Sequence, residues 1–196
     1  MAKRTIKPAQ PKSSQVRIIG GLWRSRKVSV PQAPGLRPTP DRVRETLFNW
    51  LAPYVQGARV LDAYTGSGAL FLEALSRGAS SGVALDSNAD ATNNLRGNLA
   101  LLACETAEVL RVDTLHYLSS EAEHGFDIVL LDPPFHQDLL LNSCELLECN
   151  NWLNPCAWIY TESEQAPSSL GVPHTWRLHR EKHTGQVYYA LWQKTS

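Results

Sequence analysis

The sequence predicts an α/β protein: a doubly wound, mostly parallel sheet of seven strands that closes with a terminal antiparallel hairpin. Three observations predict it. Short apolar segments at residues 59–62, 82–86, 109–113 and 126–132 each finish on aspartate. Helix-like stretches at about 68–77, 88–103 and 115–120 lie between them, and such repeated β-α-β order implies parallel strands joined by right-handed crossovers. Two strand-like runs, 175–183 and 186–193, flank Thr184-Gly185 at the end of the chain, which reads as an antiparallel hairpin.

The most informative of these segments is Phe126-Asp127-Ile128-Val129-Leu130-Leu131-Asp132-Pro133-Pro134-Phe135. Consecutive aliphatics at 128–131 suit a strand buried on both faces of a parallel sheet. Two prolines cannot donate ladder hydrogen bonds, so the strand ends there. In open α/β sheets ligands lie beyond the carboxyl ends of the strands, and the segment would present a carboxylate, a rigid turn and a flat ring at that place. A fourth helix, about 137–148, and a fifth strand, 157–161, complete the parallel part.

The chain before this region differs in character. Residues 1–44 hold 11 Lys and Arg against one acid, Asp41, whereas the other 152 residues hold 8 against 18. The formal net charge of zero therefore conceals a strong asymmetry, which points to a nucleic-acid or acidic-surface contact. Residues 1–16 are rich in Lys, Pro, Ser and Gln and are expected to form a disordered basic arm. Pro8 and Pro11 disfavour the amphipathic helix of a transit peptide. Residues 16–19 and 27–30 are β-prone and separated by Gly20-Gly21, which reads as a small basic hairpin. Trp23 among Arg24, Arg26 and Lys27 is placed either to stack on a base or to pack on the main domain. Thr39 as N-cap, Pro40 at the first helical position and Asp41 in the first turn predict a helix running to about Leu51. Its apolar face is Val43, Leu47, Trp50 and Leu51, with Arg42 and Arg44 expected to leave that face and extend the positive surface. A functional boundary is expected near residue 55, which divides the chain into an arm (1–16), a basic extension (17–54) and a catalytic domain (55–196).

Composition excludes other classes. The chain has 43% hydrophobic and 19% charged residues, enough to bury one sizeable core. It has no apolar run of membrane-spanning length and no secretory h-region, so a cytoplasmic location is expected. Cys104, Cys144, Cys149 and Cys156 show neither a C-x-x-C pair nor zinc spacing, so reduced thiols and no metal are expected. His179 and His183 are four apart, a spacing that places them on one face of a strand.

After the first apolar segment comes Asp62-Ala63-Tyr64-Thr65-Gly66-Ser67-Gly68-Ala69-Leu70. Glycines at 66 and 68 permit a tight strand-to-helix turn and a close approach to a ligand. A nicotinamide dinucleotide site wants another glycine where Phe71 stands, so a pyrophosphate cradle and an oxidoreductase are disfavoured. Asp62 suits a cationic amino-acid end by charge complementarity. Asp86, 24 residues on, suits ribose hydroxyls. Asp113 is placed to accept from an adenine amino group or to cap the next helix.

These motifs on consecutive strand ends resemble those of the S-adenosylmethionine-dependent class I methyltransferases, which have a Rossmann-like fold. Asp132-Pro133-Pro134-Phe135 looks like the [Asp/Asn]-Pro-Pro-[Phe/Tyr] motif of enzymes that methylate exocyclic or amide nitrogens. More narrowly, Arg17-Ile18-Ile19-Gly20-Gly21-x-Trp23-Arg24, Gly35-Leu36-Arg37-Pro38-Thr39-x-Asp41-Arg42-Val43-Arg44-Glu45-Thr46-Leu47-Phe48 and Gly66-Ser67-Gly68-Ala69-Leu70 are similar to the ribosomal RNA small subunit methyltransferase D family. Tyr64-Thr65 and Phe71 depart from that pattern, where Phe-Ala and a smaller residue are expected. The resemblance implies methyl transfer from S-adenosyl-L-methionine to N2 of one guanine in 16S rRNA, in the small ribosomal subunit or an assembly intermediate, by a monomer. It implies Asp132, Pro133, Pro134 and Phe135 as the catalytic tip, and Asp62, Gly66, Ser67, Gly68, Asp86 and Asp113 as the cofactor site. Arg17, Trp23, Arg24, Arg26, Lys27, Arg37, Arg42 and Arg44 are expected to bind RNA. The alternatives are an adenine-N6 or protein-amide methyltransferase and a non-catalytic RNA-binding assembly factor. The basic head favours nucleic acid over protein, and the intact Asp132 and Gly66 disfavour the factor.

Overall fold

A computed structural model describes residues 14–31, 38–135 and 139–195, and among these residues it contains nine strands and five α-helices. Arg37 and residues 1–13, most of the expected arm, lie outside the described residues. Strands β1 (Ser14–Arg17) and β2 (Lys27–Val30) pair antiparallel as the expected hairpin, so residues 14–16 of the expected arm are strand. Helix α1 (Asp41–Leu51) follows. It begins one residue later than the sequence suggested: Pro40 is the cap, its carbonyl accepts from the Val43 and Arg44 amides, and Thr39 makes no side-chain cap.

The main sheet is built from β3 (Arg59–Asp62), β4 (Ser81–Asp86), β5 (Ala107–Arg111), β6 (Phe126–Leu131), β7 (Leu153–Ser163), β8 (Trp176–Thr184) and β9 (Val187–Lys194). Its order is β5-β4-β3-β6-β7-β9-β8. The first five run parallel, β9 is antiparallel to β7, and β8 is antiparallel to β9. The crossover helices are α2 (Ala69–Ser76), α3 (Ala89–Leu101), α4 (Thr114–Leu118) and α5 (Leu139–Cys149). From β3 the chain winds outward to β5, then returns to β6 on the other flank. The topological switch point, where such sheets bind ligands, therefore lies between the carboxyl ends of β3 and β6.

Each face of the sheet carries its own core. Val60, Ile128, Leu130, Trp158, Tyr160, Tyr189 and Leu191 pack with α1, α2, α3 and the hairpin. Leu61, Val129, Leu131, Ile159, Ala190 and Trp192 pack on the other face with α5. No helix among the described residues is long and apolar enough to cross a membrane.

The basic extension is part of the first core. Helix α2 (ALFLEALS) is wholly buried, and its single acid, Glu73, has no exposed surface. Its carboxylate accepts from the Ile19 amide at 2.9 Å, the Gly20 amide at 2.8 Å, Arg77 Nε at 2.7 Å and Arg44 Nη1 at 3.4 Å. Arg44 is equally buried, and also donates to the Arg17 and Thr39 carbonyls and to Asp41. The expectation that Arg44 extends the positive surface is thus corrected. Helical period places it above Leu47, Phe48 and Leu51 in the buried stripe, and its charge is met inside. Of the two readings of Trp23, packing on the main domain is the observed one and its place among the RNA-binding residues is corrected: it is buried, and its amide donates to Ser76 Oγ at 2.9 Å. Gly21 beside it has φ +76, and a Cβ there would overlap the Ser76 carbonyl, so only glycine lets the loop close over the end of α2.

One register shift matters later. Between Leu178 and Arg180, β8 carries a bulge that leaves His179 without a partner on β9. His179 lies edge-on to Trp158 at 4.9 Å, on the α1 side. His183 pairs with Tyr188, one residue along from Tyr189 and so on the opposite side. The four-residue spacing therefore fails to put the two histidines on one face, because a bulge adds a residue to the alternation.

Replacing Glu73 by Ala leaves the buried Arg44 and two backbone amides short of an acceptor. Loss of one partner of a buried pair costs about 3 to 5 kcal/mol, and urea unfolding of Glu73→Ala is expected to show a loss of that order. A midpoint within error of the wild type would mean that the hairpin docks without this carboxylate.

Candidate active site

Four acids stand at successive strand ends along the carboxyl edge of the sheet. Asp62 ends β3, Asp86 ends β4, Asp113 follows β5 and Asp132 follows β6. Glu162 near the end of β7 joins them. Leu131 pairs with Thr161, so Asp132 and Glu162 come next on adjacent parallel strands.

Asp62 is buried, and its Oδ2 accepts from Thr65 Oγ1 at 3.1 Å. Burial pushes its carboxyl up to about 7, with the charge of Asp86 adding to the rise and the Thr65 hydroxyl and the Tyr64 and Phe71 amides opposing it. The side chain thus organises the loop that follows it. Thr65, one of the residues departing from the family pattern, supplies that hydroxyl. Tyr64, the other, hydrogen-bonds through its phenol to Ser143 on α5 at 2.8 Å.

The glycine loop is anchored from both sides. Gly66 N–H donates to Asp86 Oδ2 at 2.9 Å, and the Asn88 amide donates to Asp86 Oδ1 at 2.8 Å. Ser67 is buried and its Oγ accepts from the Ala69 amide at 3.3 Å. Gly68 caps α2 in the left-handed region at φ +74, and a Cβ there would come within 2.7 Å of Leu95. Asp113 is exposed and accepts from the His116 amide at 2.9 Å, as the N-cap of α4.

The Asp132-Pro133-Pro134-Phe135 tip closes the row. Pro133 is buried, Pro134 is exposed, and Phe135 is 37% exposed. No hydrogen-bond donor reaches the half-buried Asp132 carboxylate among the described residues. Burial raises its pKa well above the usual carboxylate range, and the charges of Glu162 and Asp62 raise it further. Burial also raises Glu162, which accepts from Tyr160 Oη at 2.7 Å. An acceptor under this strain stabilises whatever brings it a proton or a donor.

The predicted RNA contacts divide. Arg17, Arg24, Arg26, Lys27 and Arg42 are exposed, with Arg26 Nη2 donating to the Leu101 carbonyl at 3.0 Å. Trp23 and Arg44 are buried in the core, and Arg37 lies outside the described residues. Sequence reasoning missed Glu162 and Glu73. Each had a signal: Glu162 ends a fifth apolar strand on an acid like the four before it, and Glu73 is a lone charge in an otherwise apolar helix.

The donor set suits S-adenosylmethionine. Asp86 uses two of its about four lone-pair sites on backbone amides, which leaves acceptors for ribose hydroxyls. A row of acids attracts cationic sulfonium and ammonium groups and repels a pyrophosphate.

Because Asp62 has a folded pKa of about 7 against an ordinary 3.8, folding favours its protonated form. Its contribution to stability is complete below pH 3.8 and is lost as pH rises through about 7, a change of about 4 kcal/mol. Asp62→Asn is expected to remove that loss, so the gap between variant and wild-type unfolding free energies should widen in the variant's favour from pH 4.5 to 8 (roughly the window set by the two pKa values). A gap that stays constant with pH would show that Asp62 ionises as freely in the fold as outside it.

Residues 16–193 match the family model described as Conserved hypothetical protein 95. Ribosomal RNA small subunit methyltransferase D of Escherichia coli (strain K12) is 48% identical over 188 residues, covering 96% of this chain and 94% of that protein. The protein of the same name from Haemophilus influenzae is 48% identical over 182 residues, covering 91% of this chain and 94% of its own. Among solved structures, the putative methyltransferase yhhF from Escherichia coli has a TM-score of 0.86 at 48% identity, covering 93% of this chain and 99% of that one. The expected class I methyltransferase fold is the observed one, and by near full-length similarity the chain belongs to the ribosomal RNA small subunit methyltransferase D family.

Proposed function

We propose that this protein transfers a methyl group from S-adenosylmethionine to the exocyclic N2 of a guanine in 16S rRNA. The observation that carries the reading is Asp132, a carboxylate lifted in pKa and reached by no donor among the described residues, at the switch point beside an exposed Phe135. The names of the 48% identical relatives support an rRNA of the small subunit as substrate. Acidic residues inside the crevice and basic residues outside support a nucleic acid that enters by its base and is held by its backbone.

The cofactor, when bound, supplies a methyl already activated on sulfur. Asp86, the Gly66–Gly68 backbone and Asp113 would hold it, on a loop kept in shape by Asp62. The protein's remaining task is alignment, because guanine N2 is a poor nucleophile whose lone pair is delocalised into the ring. Asp132 and the Pro133 carbonyl accept hydrogen bonds from the amino group, which biases the nitrogen toward sp³ and aims its lone pair. Held in an attack geometry, reactants gain roughly 7 to 11 kcal/mol. Asp132 then takes the proton released from N2, a task for which a raised pKa makes it a stronger base than an ordinary carboxylate, worth about 10² to 10⁴ in rate. Pro133 and Pro134 fix the tip, and Phe135 stacks on the flipped base for roughly 1 to 3 kcal/mol. Arg17, Arg24, Arg26, Lys27, Arg37 and Arg42 take phosphates.

The decisive measurement is incubation with labelled S-adenosylmethionine and either naked 16S rRNA or small subunits, followed by mass spectrometry of the nucleosides. N2-methylguanosine is expected. N6-methyladenosine would favour the adenine reading, and no transfer to either RNA substrate would refute the proposal.

Asp132→Ala is expected to lose activity by at least about 10² to 10⁴ with cofactor affinity retained by calorimetry; near-normal turnover would refute the alignment role. The rate requires the ionised form of Asp132, so kcat/KM should rise with pH through an acid limb above the usual carboxylate range. Glu162→Gln removes one of the charges that raise Asp132, and the limb should move to lower pH. An unmoved limb would separate Glu162 from the base.

A further inference from the structure

The rim formed by β8 is a strongly charged surface that the proposed function does not use. Eight Lys and Arg occur in residues 45–196, and three of them, Arg177, Arg180 and Lys182, lie on this one strand. All three are exposed, as are the rest of β8 after Trp176. Among the described residues no acid lies within ion-pair distance of any of the three; the acidic partner of Lys194 on β9 is Glu148, at 3.6 Å.

Simple alternation would scatter the three, because Arg177 and Arg180 are an odd number of residues apart and would face opposite ways. The bulge at His179 changes this. Arg177 pairs with Gln193, Arg180 with Leu191 and Lys182 with Tyr189, and directly paired residues share a face. Gln193, Leu191 and Tyr189 alternate along β9, so all three cations stand on one face. It is the α1 face, because Leu191 and Tyr189 belong to the core beneath α1 and Trp50 of α1 stacks on Tyr189 at 5.8 Å. The other face takes Leu178, Glu181 and His183, by their pairing with Trp192, Ala190 and Tyr188. The bulge thus gathers positive charge on one side of the edge and leaves the strand's acid on the other, a re-aiming of side chains that bulges commonly perform.

The row also has a direction. Arg177 is level with Gln193 and Trp158, near the start of the parallel strands' apolar stretch, whereas Lys182 is level with Tyr189 and through it with Glu162. Glu162 is the neighbour of Asp132. Two strand spacings separate Lys182 from Glu162, about 10 Å. From Arg177 to Lys182 the strand rises roughly 13 to 16 Å, the axial length of several phosphates at about 3.4 Å each along one strand. The exposed cations of the hairpin and α1 belong to the same side of the sheet, since both pack in that core.

We propose that Arg177, Arg180 and Lys182 form a second phosphate-binding track, which holds the RNA backbone on the flank of the active site opposite to α3 and β5. The proposal rests on the reading of the protein as an rRNA methyltransferase. Charge complementarity selects the occupant: a basic row on an otherwise acidic domain, leading to the level of the catalytic acids, fits a polyanion whose base enters the crevice. A polyanion gripped both at the hairpin and at β8 is fixed across the sheet, with the target nucleotide between the two contacts.

The test compares the wild type with the triple variant Arg177→Ala, Arg180→Ala, Lys182→Ala. Binding to naked 16S rRNA and to small subunits is measured across a salt series, alongside kcat, KM and S-adenosylmethionine affinity. Exposed side chains are removed, so the thermal midpoint should not change. The expected result is an RNA affinity about tenfold lower at low salt, a salt slope smaller by about 2 to 3, a raised KM, and unchanged kcat and cofactor affinity. Unchanged RNA affinity and slope in the variant, with an active wild type, overturn the track and leave the methyltransferase reading standing. A loss confined to small subunits, with naked rRNA bound as before, assigns the row to a protein and also overturns it. A wild type that neither binds nor methylates rRNA overturns both readings together.

Discussion

The Glu73 carboxylate is the constraint on which the rest of the protein depends. It sits on an eight-residue helix about 12 Å long, with the glycine loop of the active site at one end and the basic hairpin closed over the other. Four donors from three elements converge on it. A buried ion pair adds little stability over a well-packed apolar substitute, yet leaving one member alone is costly. Its effect is therefore selective: the hairpin and α1 can dock in this arrangement and in few others. The position of the basic extension relative to the glycine loop is set through one rigid helix.

The second organising feature is the segregation of charge. Acids line the crevice at the carboxyl edge, and exposed cations occupy the hairpin, α1 and the β8 rim. A protein with a formal net charge of zero can thereby hold a polyanion without drawing its phosphates into the catalytic centre. Asp62, Asp86, Asp132 and Glu162 repel phosphate and welcome amino, hydroxyl and sulfonium groups. The outer cations attract phosphate, and among the described residues none of them ion-pairs with Asp62, Asp86, Asp132 or Glu162. On the proposed reading, orientation of the substrate, base inward and backbone outward, follows from electrostatics before any shape complementarity is engaged.

Much of this was legible because the informative residues lie where the local pattern changes. Apolar runs ending on acids disclosed the parallel strands and the row of acids along their carboxyl edge together, and Thr184-Gly185 disclosed the terminal hairpin. What escaped depends on long-range partners. Arg44 looked like surface because it is charged, although its spacing from Leu47, Phe48 and Leu51 was that of a buried stripe. Glu73, 29 residues away, together with Asp41 and the Arg17 and Thr39 carbonyls, makes such burial tolerable. Trp23 presented two equal readings that no local signal could separate, since its fate is decided by Ser76. Asp113 caps α4 and remains exposed, so a cap and a ligand contact are not exclusive there. The bulge in β8 had no glycine or proline to announce it, and with it escaped the single basic face.

The cost of the acidic edge explains its position in the fold. Asp132, Glu162 and Asp62 are like charges brought close, and burial penalises the ionised form of each. Such a cluster opposes folding at neutral pH, and it persists because the elements beneath it are over-determined. Strands β3, β6 and β7 each lie between two neighbouring strands and are buried among two cores, which holds the acids at their ends in place. The same rigidity makes the strain useful. Asp132 is half-buried, so water solvates its carboxylate only in part and an arriving amino group still improves its surroundings. Asp132, without a donor among the described residues, gains the most from the group that chemistry requires there. The energy that the parallel strands spend in holding these acids together is returned when a donor enters beside Asp132.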